Sequence, residues 1–534
     1  MPTTPLVDHA VETMREVSYL SIAFAAVASS VVWYIGSEMK ARNRRKGHAR
    51  LPGPTPLPLL GNALDMPQTH GWLKLAEWKH KYGDIIQLDL LGYHLVAVNS
   101  QKVAKDLLDR RSGAYSDRPH FAFAGDLCEF NKSITLMKYD EPWKRQRRII
   151  AQEFSTSSSI PRYWPLQEQQ SRLLIKSLLQ HPEKSREQIQ LSFRLGIIIQ
   201  RILYGYTVKS ADDHFLQNAL ISLENFTKAG KLGNYLVDFF SPLKYVPEWF
   251  PGAGFKREAK EMKATLNNAA TAPYEWAKKH MLTGEALMPN LLADPSPPDQ
   301  EETLRWAAIS SVGAGLDTSA STALAFYLAM IMNPEVQKKG QAEIDSVIGS
   351  GRLPAITDRS SLPYIRSVMA EVLRWHPPVP LVLTFALPML GVPHSVTRDD
   401  FYEGYHIPKG AIILPNIWFM THDPEIYDEP SSFKPERFNN SDAEMKGIYD
   451  LVFGFGRRTC PGMHFAEGTI FSIIATTFAT CDVLPELDES GKPIFPELVW
   501  TDGVISFPPE YKCRLKPRSQ NALSLLAEAT SALE

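Results

Sequence analysis

Hydrophobic and polar positions divide the chain into an apolar head, a proline-rich neck and a long mixed body. Val17 to Ser37, VSYLSIAFAAVASSVVWYIGS, carries no charge. A helix of that length, at ~1.5 Å per residue, crosses about 30 Å, one hydrocarbon core. Trp33 and Tyr34 stand near one end, where amphipathic rings favour an interface. Lys40, Arg42, Arg44, Arg45, Lys46 and Arg50 follow, with no acidic residue from Met39 to Leu64, whereas Asp8, Glu12, Arg15 and Glu16 precede. The positive flank is C-terminal, which predicts a cytoplasmic body. A cleaved secretory signal has its positive charge before the apolar run, the reverse of this order. The sequons at Asn131, Asn225 and Asn439 then never meet the glycosylation machinery.

The neck, LPGPTPLPLLGN, has prolines at 52, 54, 56 and 58 and predicts a stiff, extended spacer. Beyond it no low-complexity linker or internal repeat interrupts the chain, so residues 63–517 read as one domain, with a frayed tail at 518–534. DIIQLDL and HLVAVNS predict two short strands, and most of the rest reads as helix. The expected fold is therefore mainly α with small β-sheets. Its longest element is Glu301 to Asn333, apolar on nearly all sides, stopped by Pro334 and hence buried. Asp317 and the many small polar residues argue against a second membrane span. YVPEWFPGAGF, residues 245–255, clusters aromatics in a Pro/Gly loop that either packs in the core or dips into a lipid surface.

Composition narrows the function. The 534 residues are 44% hydrophobic and 22% charged, with a net charge of −2. That is an ordinary globular balance with a sizeable core, and it gives no sign of nucleic-acid binding. Cys128, Cys460, Cys481 and Cys513 are far apart and form no C-x-x-C pair, which argues against a disulfide framework and a structural zinc site and fits a reducing compartment.

The most specialised stretch is FGFGRRTCPG, Phe453 to Gly462. Thiolate is the nucleophilic and metal-binding form of cysteine. Gly456 and Gly462 allow a tight backbone and close approach to a flat ligand. Pro461 can start a helix. Nearby N–H groups and a following helix N-terminus stabilise a negative sulfur, and Arg458 is a cation able to pair with a carboxylate. Two chemistries suit Cys460: a nucleophile, with His464 as the available base, or an axial ligand to a metal or haem iron. Elsewhere, Glu371 and Arg374 share one helix face, as do Trp143 and Arg147. Lys144, Arg145 and Arg148 point away from the latter pair as a basic patch. Asp317 and Thr318 lie mid-helix in apolar surroundings, where a carboxylate is costly without a purpose. Gly313 and Gly315 remove bulk there, and Thr318 can divert a backbone hydrogen bond.

Phe453-x-x-Gly456-x-Arg458-x-Cys460-x-Gly462 resembles the haem-binding signature of the cytochrome P450 superfamily. Three further segments resemble the family in order: Ala314-Gly-Leu-Asp-Thr-Ser319, Glu371-Val-Leu-Arg374 with Pro435-Glu-Arg437-Phe438, and Trp143-x-x-x-Arg147. The resemblance implies the P450 fold with its long central helix behind one N-terminal transmembrane helix. Residues 1–16 would be lumenal, 17–37 the anchor in the endoplasmic reticulum membrane, 38–62 a linker and 63–517 the cytoplasmic catalytic domain. It implies haem b with Cys460 as the axial ligand, Phe453, Arg458 and Gly462 in its loop, and Trp143, Arg147 and His394 on the propionates. It also implies a Glu371–Arg374–Arg437 triad serving folding and haem retention. Thr318 would position a proton-donating water and Asp317 relay protons, while thiolate ligation favours O–O cleavage. No flavin domain or nucleotide fingerprint is present. NADPH electrons would therefore come through a separate membrane-bound NADPH–cytochrome P450 reductase docked on the basic patch. By position, Phe121 to Phe123, Ser311, Ala314, Val379 to Leu381 and Val504 to Ile505 face the substrate. The finer pattern resembles fungal microsomal enzymes of secondary metabolism. The implied reaction is O2-dependent hydroxylation or oxidation of a small lipophilic molecule, a terpenoid first, then a polyketide or indole alkaloid.

One stretch departs from the family. WHPPVPL runs into VLTFALPML, residues 382–390, before GVPHSV, and Ser395 stands where an arginine often follows the histidine. An apolar substrate-loop insertion, a strand extension and retained non-coding sequence all remain open. Two other functions stay beside the monooxygenase: a haem-thiolate isomerase or dehydratase, against which Asp317 and Thr318 count, and a catalytically impaired haem protein.

Overall fold

The computed structural model describes residues 36, 39, 42–67, 69–155, 159–180, 193–230, 234–280, 298–381 and 393–531. The expected anchor at 17–37, apart from Gly36, and the segment 382–390 lie outside these residues. Among the described residues no helix is long and apolar enough to cross a membrane.

The two predicted strands form β1 (Ile85–Leu90) and β2 (Tyr93–Val98), an antiparallel pair in which Ile85 faces Val98. Leu91 and Gly92 join them with φ of 47° and 93°, the left-handed pair that a tight hairpin turn requires. β3 (His394–Ser395) and β4 (Ile412–Pro415) complete a four-stranded sheet: β2 runs parallel to β4, which pairs antiparallel with β3. The register His394↔Ile413 fixes the histidine on the inner end of this sheet.

The helices that build the site or pack behind it are α1 (Glu141–Phe154), α2 (Trp164–Gln180), α3 (Phe193–Tyr204), α4 (His214–Ala229), α5 (Gly254–His280), α6 (Pro298–Met332), α7 (Pro363–Trp375), α8 (Met463–Thr480) and α9 (Gln520–Ser531). α6 has 35 residues and joins the two largest cores: Leu304 to Ala320 pack in one, Ala323 to Ile331 in the other. That explains its lack of a polar face. α7 is buried continuously from Ser367 to Trp375.

Two expectations change. The neck is not a free spacer: Ala49 pairs with Tyr405, Pro52 O accepts from Gln87 N at 2.8 Å, and a side chain at Gly53 would collide with Gln87 O. The folded domain thus begins well before residue 63. The tail expected to fray is helix α9, with Ala522, Leu526 and Thr530 buried; Leu526 joins the core that holds Leu174, Ile175 and Leu178 of α2. The aromatic loop at 245–255 is divided: Tyr245 is 77% and Trp249 80% exposed, while Ala253 is buried and Phe255 packs against the core.

Candidate active site

A cavity of about 470 Å³ lies between α6 and the turn before α8. Cys460 lines it. The turn is held locally: Cys460 N donates to Phe453 O at 2.7 Å, Gly456 N to Asp109 Oδ1 at 2.6 Å, and Ser155 Oγ to Pro461 O at 2.8 Å. Gly456 has φ of 55°, and a Cβ there would collide with Leu108 O, so glycine is required on both counts. Burial raises the Cys460 thiol, while a hydrogen bond from the Gly462 backbone and the charge of Arg147 pull it down. Those two groups favour the thiolate. His464 points its Nδ1 to Glu467 Oε2 at 3.0 Å and is exposed, so it is turned away from the role of base to a nucleophilic Cys460. The other three cysteines are buried and free.

Cationic side chains converge on the same cavity. Asp140 caps α1 by accepting from Trp143 N at 3.1 Å, and the helix then presents Trp143 and Arg147 together to the cavity. Arg458 donates to Ser116 O, Ile134 O and Met137 O at 2.8, 3.1 and 2.7 Å, and its guanidinium lies 4.3 Å from the Trp143 ring centroid. Arg118 is buried, donating to Thr135 O at 3.0 Å and Pro393 O at 2.7 Å. His394 Nδ1 meets Tyr115 O at 2.7 Å. Burial lowers Arg118 well below its ordinary value, with help from Arg458; it lowers Arg147 and brings Arg458 to about 10. His394 falls to about 3, through burial and then Arg118. The Trp143 indole N–H is buried without a partner among the described residues. Three desolvated cations, an orphaned donor and a cysteine held in a glycine turn around one cavity fit a flat, metal-bearing group with anionic carboxylates. Haem is such a group.

Behind this wall, Glu371 is shared between two arginines. Its Oε2 accepts from Arg374 Nε at 2.7 Å and its Oε1 from Arg437 Nε at 3.0 Å; Lys434 N adds 2.8 Å. Arg374 also donates to Thr421 O and Pro430 O at 2.9 and 2.8 Å. Glu371 and Arg374 are fully buried. One carboxylate thus serves two cations, and backbone carbonyls solvate the remaining positive charge.

On the other side, Thr318 lines the cavity and its Oγ1 donates to Ala314 O at 2.8 Å. Gly315 admits Ile199 of α3, which a Cβ would strike. Asp317 is not in the lining; its carboxyl is pushed up to about 6 by burial and then by Glu224 of α4. Ser311, Ala314, Val379, Leu381, Val504 and Ile505 line the cavity. Phe121 and Phe123 do not: both are buried elsewhere, and Phe123 stacks on Tyr235 at 3.3 Å between centroids.

The family model for cytochrome P450 matches residues 51–513. The chain belongs to the cytochrome P450 family. It is 44% identical to cytochrome P450 monooxygenase 226 of Postia placenta over 96% of both chains. It is 38% identical to cytochrome P450 monooxygenase claR of Ampulloclitocybe clavipes, over 97% of this chain and 95% of that one. A third relative, cytochrome P450 monooxygenase COX2 of Coprinopsis cinerea, is 36% identical over 95% and 97%. The enzyme class is thus P450 monooxygenase, and haem iron, O2 and a reductase follow from the family.

Two features of this P450 escaped the motif reading. Arg118 sits in a loop, in Ser-Asp-Arg-Pro, with no periodic signal to show that it turns inward. Phe130 takes the place in the cavity wall that position alone assigned to Phe121 and Phe123.

Proposed function

We propose that this P450 hydroxylates or otherwise oxidises a small lipophilic secondary metabolite, a terpenoid first, at the endoplasmic reticulum membrane of a fungus. The reading rests on one arrangement: Cys460 in its glycine turn, facing the same cavity as Arg118, Arg147 and Arg458. Cys460 would be the axial ligand of haem b. The three arginines, Trp143 Nε1 and His394 would hold its propionates. Haem held there supplies activation of dioxygen and transfer of one oxygen atom to carbon.

The chain's own groups do the rest. The Gly462 N–H and Arg147 lower the Cys460 thiol against the burial that raises it, and so favour the anion once a metal is bound. Arg458 ties the sulfur turn to Ser116, Ile134 and Met137, so the haem pocket and the turn move together. Thr318 Oγ1 spends its hydrogen on Ala314 O and keeps lone pairs for a water. The Asp317 carboxyl, held near 6, can take up and release a proton close to neutral pH. The apolar wall excludes bulk water.

Electrons would arrive from a separate NADPH reductase. Its dock would be the outer face of α1, where Arg145 and Arg148 are exposed and Lys144 pairs with Glu141 at 2.5 Å. The anchor at 17–37 would hold the domain on the membrane, and the exposed Tyr245, Trp249 and Phe250 would meet lipid.

The test is a reduced, carbon-monoxide difference spectrum of the full chain and of a chain lacking residues 382–390. A red-shifted Soret band from both supports thiolate ligation by Cys460 in a chain that tolerates the segment. The band from the shortened chain alone assigns the defect to 382–390. Its absence from both overturns the reading.

A further inference from the structure

Where α3 to α6 line the cavity, they contribute hydrocarbon and hydroxyls but no ionisable side chain. On α6, Ser310 Oγ donates to Trp306 O at 2.6 Å, Ser311 Oγ to Ala307 O at 2.9 Å, Thr318 Oγ1 to Ala314 O at 2.8 Å and Thr322 Oγ1 to Thr318 O at 2.9 Å. These four have spent their hydrogens on the helix backbone. Ser319, the remaining α6 hydroxyl of the lining, is half-buried and likewise makes no side-chain hydrogen bond among the described residues. Ser222 of α4 is the more deeply buried of the two. It is 5% exposed, it lines the cavity, and among the described residues its hydroxyl has no hydrogen-bond partner. Leu223 and Phe226 flank it on α4, and Val504 packs on Phe226.

A hydroxyl that faces a largely apolar cavity and has no protein partner is available to a ligand oxygen. We propose that Ser222 Oγ binds the oxygen of an uncharged, otherwise hydrocarbon substrate, an alcohol or ketone. A carboxylate or ammonium finds no countercharge on α3 to α6, so acids and amines are disfavoured there. The inference rests on the cavity being the substrate site of the P450 proposed above. It assigns the substrate class and names the side chain that selects it.

Three probes of one skeleton separate these properties: limonene, perillyl alcohol and perillic acid, which carry methyl, hydroxymethyl and carboxylate at the same carbon. Their binding to the holoprotein is measured by equilibrium dialysis at pH above the acid's titration, so the readout does not depend on turnover. One neutral hydrogen bond to a buried group makes the alcohol bind about three- to tenfold tighter than the hydrocarbon. The acid should bind weakest. Ser222→Ala and Ser222→Cys should each bring the alcohol to within about twofold of limonene, the span left when no net hydrogen bond remains. Using two replacements guards against a misfolded variant, which would lose limonene as well. An unchanged alcohol-to-limonene ratio in both variants overturns the inference. So does wild-type protein that prefers limonene or the acid, or that binds none of the three. The carbon-monoxide spectrum of the same samples reports separately on haem-thiolate ligation, so a failure there is not mistaken for a failure of Ser222.

Discussion

The carboxylate of Asp238 accepts the backbone N–H of Phe123 at 2.8 Å. Through this bond the segment before α5 holds the loop before α1. The neighbouring ties are the Phe123–Tyr235 stack and the Lys244–Asp126 ion pair at 2.8 Å. Asp238 is buried, and burial raises its carboxyl to about 6 despite hydrogen bonds from the Phe123 and Ala122 backbones; His120 and Asp126 act on it more weakly. The folded value lies above the ordinary one, so the fold favours the protonated form. Its stabilising contribution is complete at acid pH and is lost as pH rises through about 6. Asp238→Asn keeps an acceptor and no charge, and should melt higher than wild type above that pH. Asp238→Ala leaves buried N–H groups unpaired and should cost about 1–3 kcal/mol. Thermal unfolding of both variants across pH 6 checks the pair of outcomes.

Glu371 pairs with two arginines at once, and Arg374 has no exposed surface from which to find water. Glu371→Ala would strand a buried guanidinium and should cost about 3–5 kcal/mol. The expected result is a chain recovered largely without haem, with a lowered unfolding midpoint. A variant that retains full haem content and its melting temperature would place the triad's importance elsewhere.

What could be read in the chain depended on how local its cause was. The Cys460 turn was legible because glycine, arginine and cysteine spacing within ten residues dictates its geometry. Glu371 and Arg374 were legible for the same reason, three apart on one helix. Arg118 was not: its inward direction comes from Pro393 and Thr135, remote or irregular partners that no periodicity encodes. Phe121 and Phe123 were placed by analogy of position, but Tyr235 and Asp238, more than a hundred residues away, decide where that loop faces. The terminal helix is a case where a signal existed. Ala522, Leu526 and Thr530 recur every four residues, the spacing of a buried helical stripe.

Arg118 carries a prediction of its own. Its guanidinium is buried and repelled by Arg458, so the fold keeps a charge there against desolvation. Haem carboxylates would compensate it. Arg118→Met preserves length and removes the charge, and should lower haem affinity by about ten- to a hundredfold, the worth of one charge-assisted hydrogen bond. Transfer of haem from the variant to a competing apoprotein measures this directly. An unchanged transfer rate would assign Arg118 to bracing Thr135 and Pro393 alone.

Asp317 and Thr318 are neighbours on α6, yet only Thr318 reaches the cavity. Asp317 stands behind it, its carboxyl raised to about 6 by burial and by Glu224. Its proton occupancy therefore falls as pH rises through about 6. If this carboxyl supplies protons for oxygen chemistry, Asp317→Asn should slow product formation on the order of a hundredfold. NADPH consumption would continue, with the electrons appearing as peroxide. Thr318→Ala should produce the same uncoupling with less loss of the pH dependence, because the titrating group remains. Glu224→Gln removes the negative charge that raises Asp317, so the midpoint of coupling against pH should move downward. Measuring product formed per NADPH across that range, for wild type and the three variants, separates the roles. A midpoint that stays fixed in Glu224→Gln while Asp317→Asn uncouples would leave Asp317 as the acid and remove Glu224 from its control.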